Sequence, residues 1–200
     1  MGYIASARRH GGTCITNCFA KGIILEKNKV QKVVTSLGTV QTETVVNACG
    51  PWSAILGNGI GLEIPVYPLR RQWFVTGNIP EIPSEFPFVI DFSQSLYFHL
   101  EGQGILSGKS NHNQKIGEDQ SVDPLWELEH IQAATNRMPL LEKLGIKVRQ
   151  AGLYELTPDA HPIIGGTPIE GFYLLTGFSG HGFMHGPVCG KIMSEILLDG

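Results

Sequence analysis

Three groups of residues in this sequence have the types and spacing to do chemistry. The first is Gly177-Phe178-Ser179-Gly180-His181-Gly182-Phe183-Met184, where Gly177, Gly180, Gly182 and Gly186 crowd one loop. Glycine lets a backbone approach a ligand closely, and a helix start beyond the loop offers unpaired N–H groups and a positive dipole end. Such a loop can hold an electron-rich oxygen or nitrogen acceptor, although a tight turn packed on the fold fits the same composition. The second group is Tyr154 with the passage ELTPDAHPIIG behind it. Two prolines stiffen that passage; Asp159 suits a capped turn, and His161 could face a pocket as an acid–base group. The third is the pair Arg70-Arg71. Paired arginines are usually solvated, but a guanidinium can grip a carboxylate in two-point fashion.

Other chemistries fit poorly. A nucleophile elbow needs glycine two residues after the serine, and His181 stands there instead. A Ser179/His181/Asp159 triad can be written down, but triad partners normally meet from separate segments. No GxGxxG occurs: Gly59-Ile60-Gly61 and Gly102-Gln103-Gly104 lack the third glycine, and there is no P-loop. Taken alone, the chain has no pyrophosphate cradle. Cys14, Cys18, Cys49 and Cys189 form no CxxC pair, and the histidines show no ligand spacing, so no metal site is expected. The cysteines read as free thiols of a reducing compartment, which suggests a cytoplasmic protein.

The elements that must position these groups follow from the pattern. Residues 1–9 read as the end of a helix stopped by Gly11-Gly12. Alternation over residues 13–42, with turns at Asn28 and Leu37-Gly38, predicts a β-meander. Residues 44–48 are apolar on both faces, as in a strand covered on both sides in a parallel-type sheet. Further strands are predicted at 72–76, 88–91, 96–100, 104–107 and 148–156, and their aromatic, β-branched content suits a sheet that walls a pocket. Asp123-Pro124 predicts a capped helix over 125–137, with a short helix at 140–144. Short strands at 163–165 and 172–175 precede the glycine loop, and a helix is expected after Pro187. The fold class is α+β, with some mixed α/β character.

The 200 residues suffice for one or two domains; 42% are apolar and 16% charged, as in a globular chain. A net charge of −3 gives no reason to expect nucleic acid. No apolar run approaches the ~20 residues of a membrane span.

Read together, TETVVNACGPWSA, VYPLRRQWFVT, AGLYELTPDAHPIIG and GFYLLTGFSGHGFMHGPVCGKIMSEIL, in this order, resemble one family. The chain is similar to the C-terminal half of the FAD-dependent amino-acid oxidoreductases of the D-amino-acid oxidase superfamily, near the sarcosine oxidase β-subunit, glycine oxidase and proline dehydrogenase β-subunit. The resemblance implies the remainder of an FAD-binding domain over residues 1–64 and 146–200, and an antiparallel-sheet substrate domain over 65–145. It implies non-covalent FAD held by Cys49, Gly50, Trp52, Gly152, Gly177, Ser179, Gly180, His181, Gly182, Phe183 and Met184. Arg71, Tyr97 and Tyr154 would bind a small amino acid, with Tyr154 and His161 as catalytic groups in oxidation of its C–N bond. The substrate would be sarcosine, glycine, proline or a D-amino acid.

The departures are informative. The family's N-terminal dinucleotide-binding βαβ is absent from these residues, so the chain is expected to be a fragment, or a subunit that needs a partner chain or self-association. It could then be a non-catalytic piece by itself. In monomeric sarcosine oxidases a cysteine holds flavin covalently where Gly152 stands, and a carboxylate-binding lysine stands where this chain has Met184. The lysine credited there with oxygen activation aligns near Leu106. These losses point to a dehydrogenase-like relative.

Overall fold

The computed structural model describes residues 2–200, so the expected helix residue Met1 lies outside the described residues. The fold is α+β and divides into two compact units. One comprises the residues up to Pro65, with Pro162–Thr176 and Met184–Gly200. The other comprises Val66–His161 and Gly177–Phe183. No helix among the described residues is long and apolar enough to cross a membrane.

The first unit opens on α1 (Gly2–Arg9), stopped as expected: Gly11 takes φ +88° and Gly12 N–H returns to the Ala7 carbonyl at 2.9 Å. Strands β1 (Ala20–Glu26), β2 (Lys29–Thr35) and β3 (Gly38–Gln41) form the meander in the order β1-β2-β3. Its first hairpin turns at Lys27 and Asn28, both left-handed (φ 49° and 65°), which matches the twist of paired strands. A second sheet has the order β10-β11-β4, from β4 (Val45–Asn47), β10 (Ile163–Gly166) and β11 (Phe172–Thr176). β11 pairs parallel with β4 and antiparallel with β10. Buried Asn47 ties this sheet to the next segment: its Nδ2 donates to the Ser53 carbonyl at 3.0 Å, and its Oδ1 accepts from Cys49 N. A single 3-10 turn, Gly50–Trp52, leads into α2 (Ser53–Asn58).

In the second unit the sheet order is β6-β7-β8-β5-β9, all antiparallel, from β5 (Tyr67–Thr76), β6 (Val89–Asp91), β7 (Leu96–Glu101), β8 (Gly104–Lys109) and β9 (Ile146–Leu156). Alternation sends Phe74, Phe98 and Ile105 to one face, where they form a core with Ala134 of α3 (Pro124–Arg137) and Leu141. α3 begins as the sequence predicts, with Asp123 Oδ1 accepting from Leu125 N at 3.0 Å and Trp126 N at 3.2 Å. His130 of α3 is buried in this core, 2.8 Å from Ser107 Oγ through Nε2 and tilted on Phe74.

Two expectations differ from the structure. A division at 145/146 would cut β9 from the sheet it belongs to. β9 pairs with β5 from Tyr67↔Leu156 to Thr76↔Ile146, so residues 146–161 stand with the antiparallel sheet, as does loop 177–183. The last helix, α4 (Gly182–Asp199), starts five residues before Pro187 instead of after it. Proline at this position removes only the bond to the Phe183 carbonyl, close to the end where N–H groups lack partners anyway.

Candidate functional site

The other face of the five-stranded sheet carries Arg71 and Trp73 on β5, Tyr97 and His99 on β7, Leu106 and Gly108 on β8, and Gly152 and Tyr154 on β9. Cross-strand register brings them together: Trp73 pairs with Gly108 and Gly108 with Tyr97, while Arg71 pairs with Gly152. Arg71, Trp73, Tyr97, His99, Leu106 and Tyr154 wall a cavity of about 310 Å³. The expected substrate residues Arg71, Tyr97 and Tyr154 therefore share one site.

Arg71 dominates its electrostatics. Its Cζ lies 5.4 Å from the centre of the Tyr154 ring. Burial pushes its pKa below the ordinary arginine value, opposed by the two tyrosines, yet a guanidinium stays charged in this range. Nη1 donates to the carbonyls of Arg70 (3.3 Å) and Asn111 (3.5 Å). Nε is buried without a partner. A buried cationic donor left unpaired is costly, and a planar fork with a free N–H is shaped for a carboxylate. Burial pushes Tyr97 up to about 12, so its hydroxyl stays protonated and can donate. The Tyr97 ring lies directly over Gly108, in the space a Cβ would take. Phe88 stacks on Tyr97 (5.6 Å) and on His99 (5.3 Å).

The glycine loop is clamped to the end of β9. Gly177 N donates to Glu155 Oε2 at 2.7 Å, and Ser179 N donates to the Glu155 carbonyl at 3.2 Å. Ser179 Oγ accepts from Thr157 N at 3.2 Å and lies 3.3 Å from Thr157 Oγ1. Ser179 takes a left-handed φ of 51° and is buried, so its hydroxyl anchors the loop and is not placed as a nucleophile. Gly180, at φ +97°, rests on the Tyr154 ring: a Cβ would come within 2.5 Å of Cε2. Gly182 is backed by Phe178, and α4 begins there. By helix geometry the N–H groups of Gly182, Phe183 and Met184 have no intrahelical acceptor. The side chains of Phe183 and Met184 are exposed.

Two other expected groups lie elsewhere. His161 is exposed on the turn after β9, with Nδ1 donating to the Asp159 carbonyl (2.7 Å) and its N–H to Asp159 Oδ1 (3.1 Å). It does not line the cavity; the turn that Pro158 and Pro162 stiffen holds it in solvent. That backbone N–H also lowers the Asp159 pKa. Cys49 and Trp52 belong to the first unit, where they line a groove of about 720 Å³ with Cys18, Phe19, Ile55 and Leu56. Gly50 takes φ 56° and accepts from Thr176 Oγ1 through its carbonyl at 3.2 Å; burial raises the Cys49 thiol. Sequence reasoning missed Trp73 and His99. The spacing that shows them is present: each lies two residues along a strand from an expected site residue, Arg71 or Tyr97.

The sequence profile of the family described as FAD dependent oxidoreductase matches residues 1–196. The chain is 34% identical to human mitochondrial sarcosine dehydrogenase, across 98% of this chain and 23% of that protein. It is 30% identical to mouse mitochondrial dimethylglycine dehydrogenase, across 100% of this chain and 25% of that protein. The crystal structure of L-proline dehydrogenase from P. horikoshii superposes with a TM-score of 0.92 at 29% identity, covering 99% of this chain and 54% of that one. The chain thus spans about a quarter of these curated relatives and about half of the solved structure. On its sequence and its fold, the chain belongs to the FAD dependent oxidoreductase family.

Proposed function

We propose that this chain is the substrate-binding and flavin-covering part of an enzyme that oxidises the C–N bond of a small secondary or tertiary α-amino acid. The observation that carries the reading is Arg71, desolvated among aromatic rings with its Nε lacking a partner. An amino-acid carboxylate in the cavity is the anion this guanidinium would pair with, and the Tyr97 hydroxyl would be a further donor. Trp73, Leu106 and Tyr154 give the substituents on nitrogen an apolar wall that excludes water. Sarcosine and dimethylglycine, named for the two curated relatives, and proline, named for the solved structure, favour an N-substituted amino acid over glycine or a D-amino acid.

The residues present fit one edge of an isoalloxazine. Gly180 and Gly182 keep the loop thin where a Cβ would strike Tyr154 or Phe178, and the α4 N-terminus would offer N–H groups to the pyrimidine oxygens. FAD, when bound, supplies the two-electron acceptor for the substrate hydride. Gly152 offers no thiol, so the flavin would be held without a covalent bond at that position. The pyrophosphate would be held by a dinucleotide-binding segment with its own GxGxxG, in the same polypeptide or in another chain.

The test is to co-purify this chain with a dinucleotide-binding domain of the family, add FAD, and titrate anaerobically with sarcosine, dimethylglycine and proline. Flavin absorbance bleached by at least one of the three is expected. A complex that stays colourless, or one that none of them bleaches, refutes the reading.

A second reading is that the isolated chain is inert and self-associates until paired. The fully exposed Phe183 and the exposed Phe19 and Ile55 favour it. It predicts a colourless, oligomeric isolated chain, and a yellow, active monomer would overturn it.

A further inference from the structure

The cavity holds a base that the sequence did not single out. His99 lines the cavity wall, and its Nδ1 lies 2.8 Å from the Leu100 carbonyl. A carbonyl only accepts, so Nδ1 must carry the hydrogen, and in the neutral ring this leaves the lone pair on Nε2. Nε2 has no partner among the described residues and is open to solvent. The ring cannot easily turn away: Phe88 stacks on it at 5.3 Å with planes 13° apart, and Tyr97 lies parallel to it at 6.5 Å.

We propose that His99 Nε2 is the proton acceptor for the substrate's ammonium group, an inference that rests on the amino-acid oxidation proposed above. At neutral pH an α-amino acid carries a protonated nitrogen. Oxidation of its C–N bond needs the nitrogen lone pair, which becomes the second C–N bond as a hydrogen on a carbon attached to that nitrogen leaves, with both electrons of its C–H bond, for the two-electron acceptor named above. In the step assigned to His99, an N–H bond breaks, the electron pair stays on the substrate nitrogen, and a new H–Nε2 bond forms. Nothing is oxidised in that step, and the imidazolium returns its proton to solvent. The charged and titratable groups around the ring support this direction of transfer. Arg71, Tyr97 and Tyr154 share the cavity, and Glu101 lies two residues along β7 on the same face. β8 presents only Leu106 and two glycines to this face, and Phe88 stacks on the ring. Arg71 is thus the fixed positive charge in the cavity wall, and the bound carboxylate neutralises it. The complex can then take up one positive charge on His99.

The informative variant is His99→Asn, whose amide can still donate to the Leu100 carbonyl but has no basic nitrogen. In the FAD-loaded complex, flavin reduction by the amine that bleaches wild type should fall about 100-fold near pH 7. It should recover as pH rises toward the free amine's own pKa, a profile displaced from that of the wild type. A readout independent of turnover is 15N NMR of the histidine-labelled, unmutated complex. In alkaline buffer it should show His99 protonated at Nδ1 and bare at Nε2. If the ring carries its hydrogen on Nε2, or if His99→Asn retains the wild-type pH profile, the inference falls while flavin bleaching still stands. If no amine bleaches the wild-type flavin, the parent reading falls instead.

Discussion

The Arg71 guanidinium lies over the Tyr154 ring, with Cζ 5.4 Å from its centre, and no acceptor completes its Nε. A buried donor without an acceptor costs the folded chain free energy. Replacing the charge by an apolar group of similar length removes a buried unpaired donor. Arg71→Met should therefore stabilise the chain by about 1–3 kcal/mol while raising the amino-acid KM by at least tenfold. Thermal unfolding and substrate titration on one preparation check both. Loss of stability in Arg71→Met would show that the guanidinium is better satisfied than the structure indicates.

Gly180 controls the fit of the loop on Tyr154. Gly180→Ala meets a left-handed φ of 97° and a Cβ contact of 2.5 Å with an aromatic carbon. A cost of about 1–3 kcal/mol is expected, with a drop in activity as Tyr154 is displaced. Gly186, inside α4 with open space around its Cβ position, is the control. Gly186→Ala should be neutral, or stabilising by about 0.5–1 kcal/mol. Urea unfolding of the two variants side by side decides the matter.

Tyr97 predicts an alkaline limit. Its ordinary value is 10.0 and burial raises it to about 12 in the folded chain. Between these values the unfolded chain has lost the proton and the folded chain keeps it, so stability is intact below pH 10 and falls as pH rises toward 12, by about 1.4 kcal/mol per unit. Tyr97→Phe should flatten that part of the stability curve, measured by denaturant midpoints across the range.

His130 predicts the opposite limit. Burial in the α3 core, with Lys109 nearby, lowers it from 6.5 to about 3. The unfolded chain takes up a proton below pH 6.5 that the folded chain refuses, so the stability present above 6.5 is lost as pH falls toward 3. His130→Gln, which can still reach Ser107, should remove much of this acid sensitivity, at a cost in packing near neutral pH. Acid unfolding monitored by circular dichroism gives the comparison.

The sequence by itself determined the local pieces. Asp123-Pro124 specified a capped helix because the cap needs only neighbouring N–H groups. Asn28 and Gly38 specified hairpins because turn geometry is set within four residues. The order of glycines in 177–182 specified a loop able to approach a ligand, and the four ordered segments specified the family. Tertiary structure alone decided what depends on cross-strand register. Arg71 meets Tyr154 because β5 pairs with β9 across some eighty residues of sequence, and the same pairing moved residues 146–161 into the antiparallel unit. His161 was the attractive histidine in the sequence because it lies beside a stiff, polar turn, yet that turn holds it in solvent. His99 was unremarked in a run of aromatic residues, and only the pairing of β7 with β8 and β8 with β5 put it in the wall beside Arg71. A single strand reveals which residues share its face, but the neighbours across that face are set by register, which is fixed by burial of Phe74, Phe98 and Ile105 on the other side.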